Sequence, residues 1–216
     1  MQKEEFVKNY FGDVKKVLDN INIESIVRLH YKILETKDGG GTIFIIGNGG
    51  SAATASHMVC DFMKGTINDF SSDDKRLKAI SLVDNIPINT AYANDISYDE
   101  IFSQQLRNLI GEKDLLLVLT GSGKSKNIIR AIEVAKNKGA YVFSLLGSDG
   151  GAVKDISNSY ILVPSENYGI IEDFHLMVGH IMTFCLSGCE NKVCETGPGS
   201  DSGREFLKNS FITPHS

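Results

Sequence analysis

Short apolar segments that alternate with helical patterns constrain the fold of this chain more than any other feature. Five such segments cover residues 43–46, 77–82, 115–119, 141–146 and 160–163. Strands that alternate with helices are typical of a parallel sheet covered by helices on both faces. The sequence therefore predicts an α/β fold. It also predicts a long final helix over roughly residues 169–187.

The first 38 residues carry apolar side chains at helical spacing and predict two helices ahead of the first strand. Helices in this position have no evident place in a doubly wound sheet, so we expect their apolar side chains to pack against a second subunit. The chain has 216 residues, enough for one domain with a large core. We expect oligomerisation helices over 1–38, the main domain over 39–190 and a loose tail rich in Gly, Ser and Pro over 191–216.

The charge and the cysteines argue against several classes of protein. A net charge of −5 without a basic stripe argues against general nucleic-acid or anionic-membrane binding. The four cysteines, Cys60, Cys185, Cys189 and Cys194, are irregularly spaced and form no C-x-x-C pair, so we expect free thiols. The first residues lack the apolar core of a signal peptide, and we expect a cytoplasmic protein.

Residues 115–127, LLLVLTGSGKSKN, run from an apolar strand through a Gly/Ser/Thr loop into a helix. Backbone N–H groups at a helix N-terminus, together with the helix dipole, can bind a phosphate. A Walker A loop would need glycine five residues before Gly123, but that position is Val118. The loop therefore predicts a monophosphate site. The alternative is an ordinary turn whose polar residues only cap the helix.

Residues 41–53, GTIFIIGNGGSAA, repeat this strand–loop–helix pattern. The glycines do not follow the G-x-G-x-x-G spacing of a dinucleotide-binding loop, so nicotinamide or flavin binding is not expected. In parallel sheets, ligands bind at the carboxyl ends of the strands. Both loops are expected there, and we therefore expect them to form one site.

Ionisable side chains accompany these loops on two predicted helices. His57 and Asp61 are four residues apart and lie on one helix face, while Glu172 and His180 are eight apart, about 80° around the final helix. Such a set can move a proton beside a carbonyl or hold a divalent metal that polarises the carbonyl. The alternative for His57 and Asp61 is a surface pair, and His175 is expected to be structural because it points away from His180.

Four motifs resemble the SIS domain of bacterial phosphoheptose isomerases over roughly residues 5–190. They are G-N-G-G-S-A-A-x-A-x-H, A-x-A-N-D-x-x-Y-D-E-x-F-S-x-Q, S-G-x-S-x-N and x-E-D-x-H-x-x-x-x-H. The resemblance implies a three-layer αβα sandwich around a five-stranded parallel flavodoxin-like sheet, and a homotetramer. It also implies isomerisation of sedoheptulose 7-phosphate to D-glycero-D-manno-heptose 7-phosphate for lipopolysaccharide or capsule, with zinc in some members.

The resemblance also implies roles for individual residues. Asp61 and His180 match the catalytic carboxylate and histidine, which move a proton between C1 and C2 through an enediol. The positions that match phosphate-binding hydroxyls are Thr120, Ser122 and Ser125. The positions that match the substrate pocket are Asn48, Gly49, Ser51, Asn94, Asp95 and Glu172. The positions that match zinc ligands are His57, Asp61, Glu172 and His180.

The chain departs from the family pattern at several of these positions. Asp61 replaces a glutamate, and a base misplaced by about 1 Å can cost roughly 10²-fold in rate. Glu172 replaces a glutamine, while Gly121 and Lys124 replace Thr and Asn in the phosphate loop, where Lys124 can help to hold the phosphate. Three alternatives to the heptose phosphate isomerase stay open: an isomerase of another ketose phosphate, a non-catalytic binding module of the replication-initiator-associating type, and a sugar-phosphate-sensing regulatory domain.

Overall fold

The computed structural model describes residues 2–72 and 76–188. Two helices, α1 (Gln2–Asn20) and α2 (Ile23–Asp38), precede the sheet, which confirms the helical interpretation of the first 38 residues. Helix α2 begins after Asn22, whose side-chain oxygen accepts a hydrogen bond from the backbone N–H of Ser25 at 3.0 Å. The predicted tail lies outside the described residues, as do two of the cysteines; of the others, Cys60 is an exposed thiol.

Five strands form one parallel sheet in the order β2-β1-β3-β4-β5. They are β1 (Ile43–Gly47), β2 (Ala79–Ser81), β3 (Leu115–Thr120), β4 (Tyr141–Gly147) and β5 (Ser159–Val163). This is the flavodoxin-like order, and it confirms the expected sheet. The prediction for β2 over 77–82 was too long. Among the described residues this edge strand pairs with β1 alone, and its apolar neighbours Leu77 and Leu82 are buried without belonging to the strand.

Helices cover both faces of the sheet and complete a three-layer αβα sandwich. They are α3 (Gly50–Cys60), α4 (Ile86–Asp95), α5 (Ser103–Leu109), α6 (Lys126–Asn137), α7 (Gly151–Ile156) and α8 (Tyr168–Leu186). Alternate side chains of β1 enter different cores: Ile43 and Ile45 pack with α2, α3 and α8, whereas Phe44 and Ile46 pack with α5 and α6. This alternation follows from the pleat of a strand that is buried on both sides.

Helix α8 is long and apolar enough to cross a membrane by length and composition alone. In this fold 39% of that apolar segment is buried inside the protein. Ile170 and Phe174 pack with Val17 of α1. Val178 and Met182 pack with α2 and α3 on one face of the sheet. The apolar side chains on this buried face are thus explained by the packing of α8 in the sandwich.

The carboxyl ends of β1 and β3 form the topological switch point of the sheet. The two strands are neighbours, with Gly47 opposite Leu119. The helix that follows β1 packs into one core through Met58, and the helix that follows β3 packs into the other core through Ile128. Because the chain leaves the two strands toward opposite faces, a crevice opens between their loops, where open α/β sheets bind ligands.

Candidate functional site

The loop after β1 turns sharply into α3 and needs glycine to do so. A Cβ atom on Gly47 would lie 2.7 Å from the backbone of Ser51, and Gly49 has a φ of 58° in the left-handed region. Ser51 is consequently buried in the first turn of α3. The predicted pocket residues Asn48, Gly49 and Ser51 therefore all lie at the carboxyl end of β1.

The loop after β3 places hydroxyls and backbone N–H groups at the start of α6. Gly123, with a φ of 61°, donates its N–H to Thr120 Oγ1 at 3.2 Å, and Lys124 donates its N–H to Ser122 Oγ at 3.3 Å. Ser125 is the N-cap residue of α6, but its side chain makes no capping hydrogen bond. The hydroxyl of Ser125 is thus not committed to capping, unlike in an ordinary turn that serves only to cap its helix.

Two asparagines join the loops across the crevice. Asn48 Nδ2 donates to Asn127 Oδ1 at 2.9 Å, and Asn127 Nδ2 donates to Asn48 Oδ1 at 2.8 Å. The hydroxyl of Tyr98, from a 3₁₀ turn (Tyr98–Glu100), donates to the same Asn48 oxygen at 3.0 Å. A hydrogen-bonded unit of three side chains therefore links the segments on the two sides of the switch point.

Asn94 and Asp95, which the resemblance places in the substrate pocket, end helix α4 and are exposed. Asn94 Nδ2 donates to Asp95 Oδ1 at 2.8 Å. Tyr98, three residues further along, is the residue of this segment that reaches the loop after β1.

Three of the four predicted chemical side chains meet between α3 and α8. The Nε2 atoms of His57 and His180 are 3.1 Å apart, and Asp61 Oδ2 lies 3.2 Å from the first and 3.6 Å from the second. The side chains of His57 and His180 are about half exposed, at 49% and 46%, and that of Asp61 is 23% exposed. One carboxylate oxygen and two imidazole nitrogens thus form an open triangle that solvent or a ligand can reach.

This triangle fits a metal ion. A tetrahedral zinc ion with ligands at about 2.0–2.1 Å separates neighbouring ligand atoms by about 3.3 Å. The three edges, 3.1, 3.2 and 3.6 Å, lie close to that value. The donor atoms also lie mutually close enough to share one ion. Two imidazoles and one carboxylate with an open fourth position make up a ligand set that catalytic zinc sites use.

Glu172, the fourth predicted ligand, is not in this triangle. Its carboxylate lies against Gly50 in the first turn of α3, so closely that a Cβ atom on Gly50 would overlap with it. A carboxylate is favourable there because the N-terminus of a helix carries a partial positive charge. Glu172 thus packs the first half of α8 against the start of α3.

Close packing of α3 on α8 brings the two imidazoles together. A Cβ atom on Gly179 would lie 2.8 Å from Cγ of the buried Met58, so any larger residue would force Met58 or the helices to shift. Met58 and Gly179 directly neighbour His57 and His180 in the chain. Asp61 then begins a π-helical turn (Asp61–Gly65), a feature that often marks functional sites.

His175 lies in the core on another face of α8, as expected for a structural residue. It is 1% exposed. Burial lowers the pKa of His175 to about 4, an effect that the nearby backbone of Leu146 opposes only in part. The imidazole is therefore neutral at physiological pH.

Lys124, in the phosphate-type loop, has an acidic neighbour. Its Nζ atom lies 3.6 Å from Asp149 Oδ2, and both side chains are well exposed. The backbone N–H of Gly151 and the positive charge of Lys124 lower the pKa of Asp149.

Asp149, together with Asn127 and Tyr98, was missed by sequence reasoning. Asn127 ends the motif S-G-x-S-x-N and Tyr98 begins the motif Y-D-E, so these two motifs were the signal that could have identified them.

Comparisons with known proteins agree with this architecture. Residues 9–147 match the family model described as the SIS domain. A phosphoheptose isomerase of Helicobacter pylori is 35% identical over 80% of this chain and 88% of its own length. A probable phosphoheptose isomerase of Thermoplasma acidophilum is 35% identical over 81% of this chain and 94% of its own.

Solved structures give the same relationship. A phosphoheptose isomerase of Neisseria gonorrhoeae superposes with a TM-score of 0.78 at 28% identity, over 87% of this chain and all of that chain. One from Francisella tularensis superposes with a TM-score of 0.79 at 27% identity, with the same coverage.

Proposed function

The chain belongs to the phosphoheptose isomerases, a family of SIS-domain proteins, and we infer that it isomerises sedoheptulose 7-phosphate to D-glycero-D-manno-heptose 7-phosphate. The observation that carries this inference is the triangle of His57, Asp61 and His180, beside two loops at the switch point. A non-catalytic binding module is not favoured, because it would not need these three groups in contact.

We propose that Asp61 is the base that removes a proton from C1 of the ketose. His180 gives a proton to the C2 carbonyl oxygen, which produces an enediol. Return of the proton to C2, with loss of the proton from the C1 hydroxyl, yields the aldose. The proposal is supported by the short distances between the carboxylate and imidazoles and by the general role of such groups in proton transfer.

The phosphate is proposed to bind the loop after β3 through Thr120, Ser122 and Ser125, at the N-terminus of α6. Asn48, Gly49, Ser51, Asn94, Asp95 and Glu172 are proposed to contact the sugar. His57 lies seven residues beyond Gly50, or about 10 Å along α3, which is comparable to the length of an extended heptose phosphate. This spacing would let one substrate reach both the loops and the triangle.

We propose that His57, Asp61 and His180 hold zinc. When bound, zinc would polarise the sugar carbonyl in place of the proton from His180, whose Nε2 atom would then be a zinc ligand. Because Asp61 enters the triangle through Oδ2, its Oδ1 remains outside it to accept a proton. Glu172 is then a residue of the substrate pocket more than a ligand, since its carboxylate lies at Gly50.

A homotetramer is proposed from the apolar surface of the leading helices. Phe6 and Phe11 of α1 are 68% and 67% exposed, and Ile23 and Tyr31 of α2 are similarly exposed. Apolar side chains grouped on neighbouring helices are typical of subunit contacts. We propose that this assembly is a soluble, cytoplasmic enzyme that supplies heptose for lipopolysaccharide or capsule.

The deciding experiment is turnover of sedoheptulose 7-phosphate in D₂O, followed by proton NMR, with and without zinc and beside an Asp61→Asn control. The exposed triangle should exchange its proton with solvent, so the product should carry deuterium at C2. Neither product nor exchange should appear in the control. Absence of turnover in a folded wild-type protein that still binds the sugar phosphate would refute this substrate and favour another ketose phosphate or a binding module.

A further inference from the structure

The side-chain amide of Asn48 makes three hydrogen bonds to neighbouring side chains. Its oxygen accepts from Asn127 Nδ2 at 2.8 Å and from the Tyr98 hydroxyl at 3.0 Å, and its nitrogen donates to Asn127 Oδ1 at 2.9 Å. Asn127 is 2% exposed, so its amide depends on protein partners. Three of the four hydrogen-bonding positions of the Asn48 amide are thereby filled.

The orientation of both amides follows from one backbone group. The N–H of Ile128 donates to Asn127 Oδ1 at 3.0 Å, and a backbone N–H can only donate, so the accepting atom is oxygen. The Asn48 atom that faces this oxygen must then be the nitrogen. The other Asn48 atom, an oxygen, faces the Asn127 nitrogen and the Tyr98 hydroxyl.

We propose that Asn127 and Tyr98 are positioning residues, which fix the Asn48 amide so that it offers a substrate oxygen one N–H donor and no acceptor. This inference rests on the proposed function, because it takes Asn48 as a substrate-binding residue. Both lone pairs of the Asn48 oxygen are used within the protein. The one N–H left over can bind a carbonyl, hydroxyl or phosphate oxygen of the sugar phosphate.

The segment that carries Tyr98 is itself fixed. Glu100, in the same 3₁₀ turn, pairs with Arg130 of α6 and accepts hydrogen bonds from Ser103 and Gln104. The Ser103 hydroxyl is the largest of the contacts that lower the pKa of Glu100, so the carboxylate stays charged. The 3₁₀ turn is therefore anchored to α5 and α6 through Glu100, and the Tyr98 hydroxyl reaches Asn48 from this anchored turn.

The test is a double-mutant cycle with Tyr98→Phe, Asn48→Ala and the combined variant. Tyr98 is 58% exposed and the change removes one hydroxyl, so thermal stability should be kept. Loss of one hydrogen bond should raise KM for sedoheptulose 7-phosphate roughly three- to tenfold, with a smaller change in kcat. In the Asn48→Ala background, Tyr98→Phe should change KM less than about twofold. Tyr160→Phe, on the edge strand β5, is the matched control and should leave KM unchanged.

A second variant addresses Asn127. Asn127→Asp keeps the acceptor for Ile128 but places an oxygen against Asn48 Oδ1, so it should raise KM at least as much as Tyr98→Phe does. The inference would be overturned if Tyr98→Phe raised KM by the same factor in the wild-type and Asn48→Ala backgrounds. It would also be overturned if Tyr98→Phe left KM unchanged in the wild-type background. Calorimetric titration with sedoheptulose 7-phosphate in an Asp61→Asn background reports the same coupling without turnover. Failure of the proposed isomerase reaction would therefore be seen separately, in the parent enzyme.

Discussion

Gly179→Ala tests whether the contact between α3 and α8 sets the geometry of the triangle. The new Cβ atom would lie 2.8 Å from Met58 Cγ, whereas carbon atoms pack at about 3.5–4.0 Å. Met58 is fully buried, so the contact is relieved chiefly by moving the helices apart, by about 1 Å. Overpacking of this kind costs about 1–3 kcal/mol, partly offset by about 1 kcal/mol from removing a glycine inside a helix.

The displacement acts directly on the two imidazoles, because His57 and His180 neighbour the residues in contact. Their Nε2 atoms, now 3.1 Å apart, would move to about 4 Å. That separation exceeds both a hydrogen bond and the edge of a zinc tetrahedron. Misplacement by about 1 Å can lower the rate roughly 10²-fold, so we expect kcat to fall by about that factor.

The assay compares kcat with sedoheptulose 7-phosphate, zinc affinity and thermal unfolding in Gly179→Ala and in Gly12→Ala. Gly12 also lies inside a helix, but a Cβ atom there would meet no neighbour within 4 Å. The control should unfold at a slightly higher temperature and keep its kcat. A folded Gly179→Ala protein with wild-type kcat and zinc affinity would refute the argument that this contact positions the triangle.

Other parts of the structure give three more predictions. Titration of metal-free protein with zinc against a chromophoric chelator should show one zinc site per chain. His57→Ala should lose this site while its circular dichroism spectrum stays unchanged. An unchanged zinc affinity of His57→Ala would contradict the proposed ligand set. The folded pKa of His175 lies below its unfolded value of 6.5, so the free energy of unfolding should be constant above pH 6.5 and fall by roughly 3 kcal/mol toward pH 4. Urea unfolding from pH 4.5 to 7 should show this fall, and His175→Leu should lack it. Lys124→Met should weaken competitive inhibition by inorganic phosphate about two- to fivefold. Asp149→Asn should strengthen this inhibition by a smaller factor, because Asp149 no longer competes with phosphate for Lys124. Equal inhibition of the wild type and both variants would exclude Lys124 from phosphate binding.

The alternation of apolar segments with helical patterns was enough to predict the sheet, because buried parallel strands show as short apolar runs. The one misjudged strand shows the limit of this signal. Leu77 and Leu82 are as buried as Ala79 and Ser81 of β2, but the strand itself covers only the three residues Ala79–Ser81 in register with β1. Hydrophobicity reports burial and not hydrogen bonding, so the ends of an edge strand cannot be read from it.

Within the site, contacts along one helix were predictable and contacts between helices were not. The spacing of His57 and Asp61 already implied that they meet, and they do so at 3.2 Å. The position of Glu172 over Gly50, away from the triangle, depends on how α8 crosses α3 and has no signal in the sequence. The pairing of Asn48 with Asn127, 79 residues apart, likewise requires the switch-point geometry.

The crossing of α3 and α8 also explains how the chain accommodates a short carboxylate. The family resemblance expects glutamate at position 61, and an aspartate on widely separated helices would reach one imidazole and miss the other. Here Asp61 Oδ2 lies 3.2 and 3.6 Å from the two Nε2 atoms, because Gly179 allows the helices to approach. A shorter carboxylate side chain at position 61 therefore requires a smaller distance between α3 and α8 in this fold. The short side chain of Asp61 and the close approach of the helices at Gly179 together bring one carboxylate oxygen to both imidazoles.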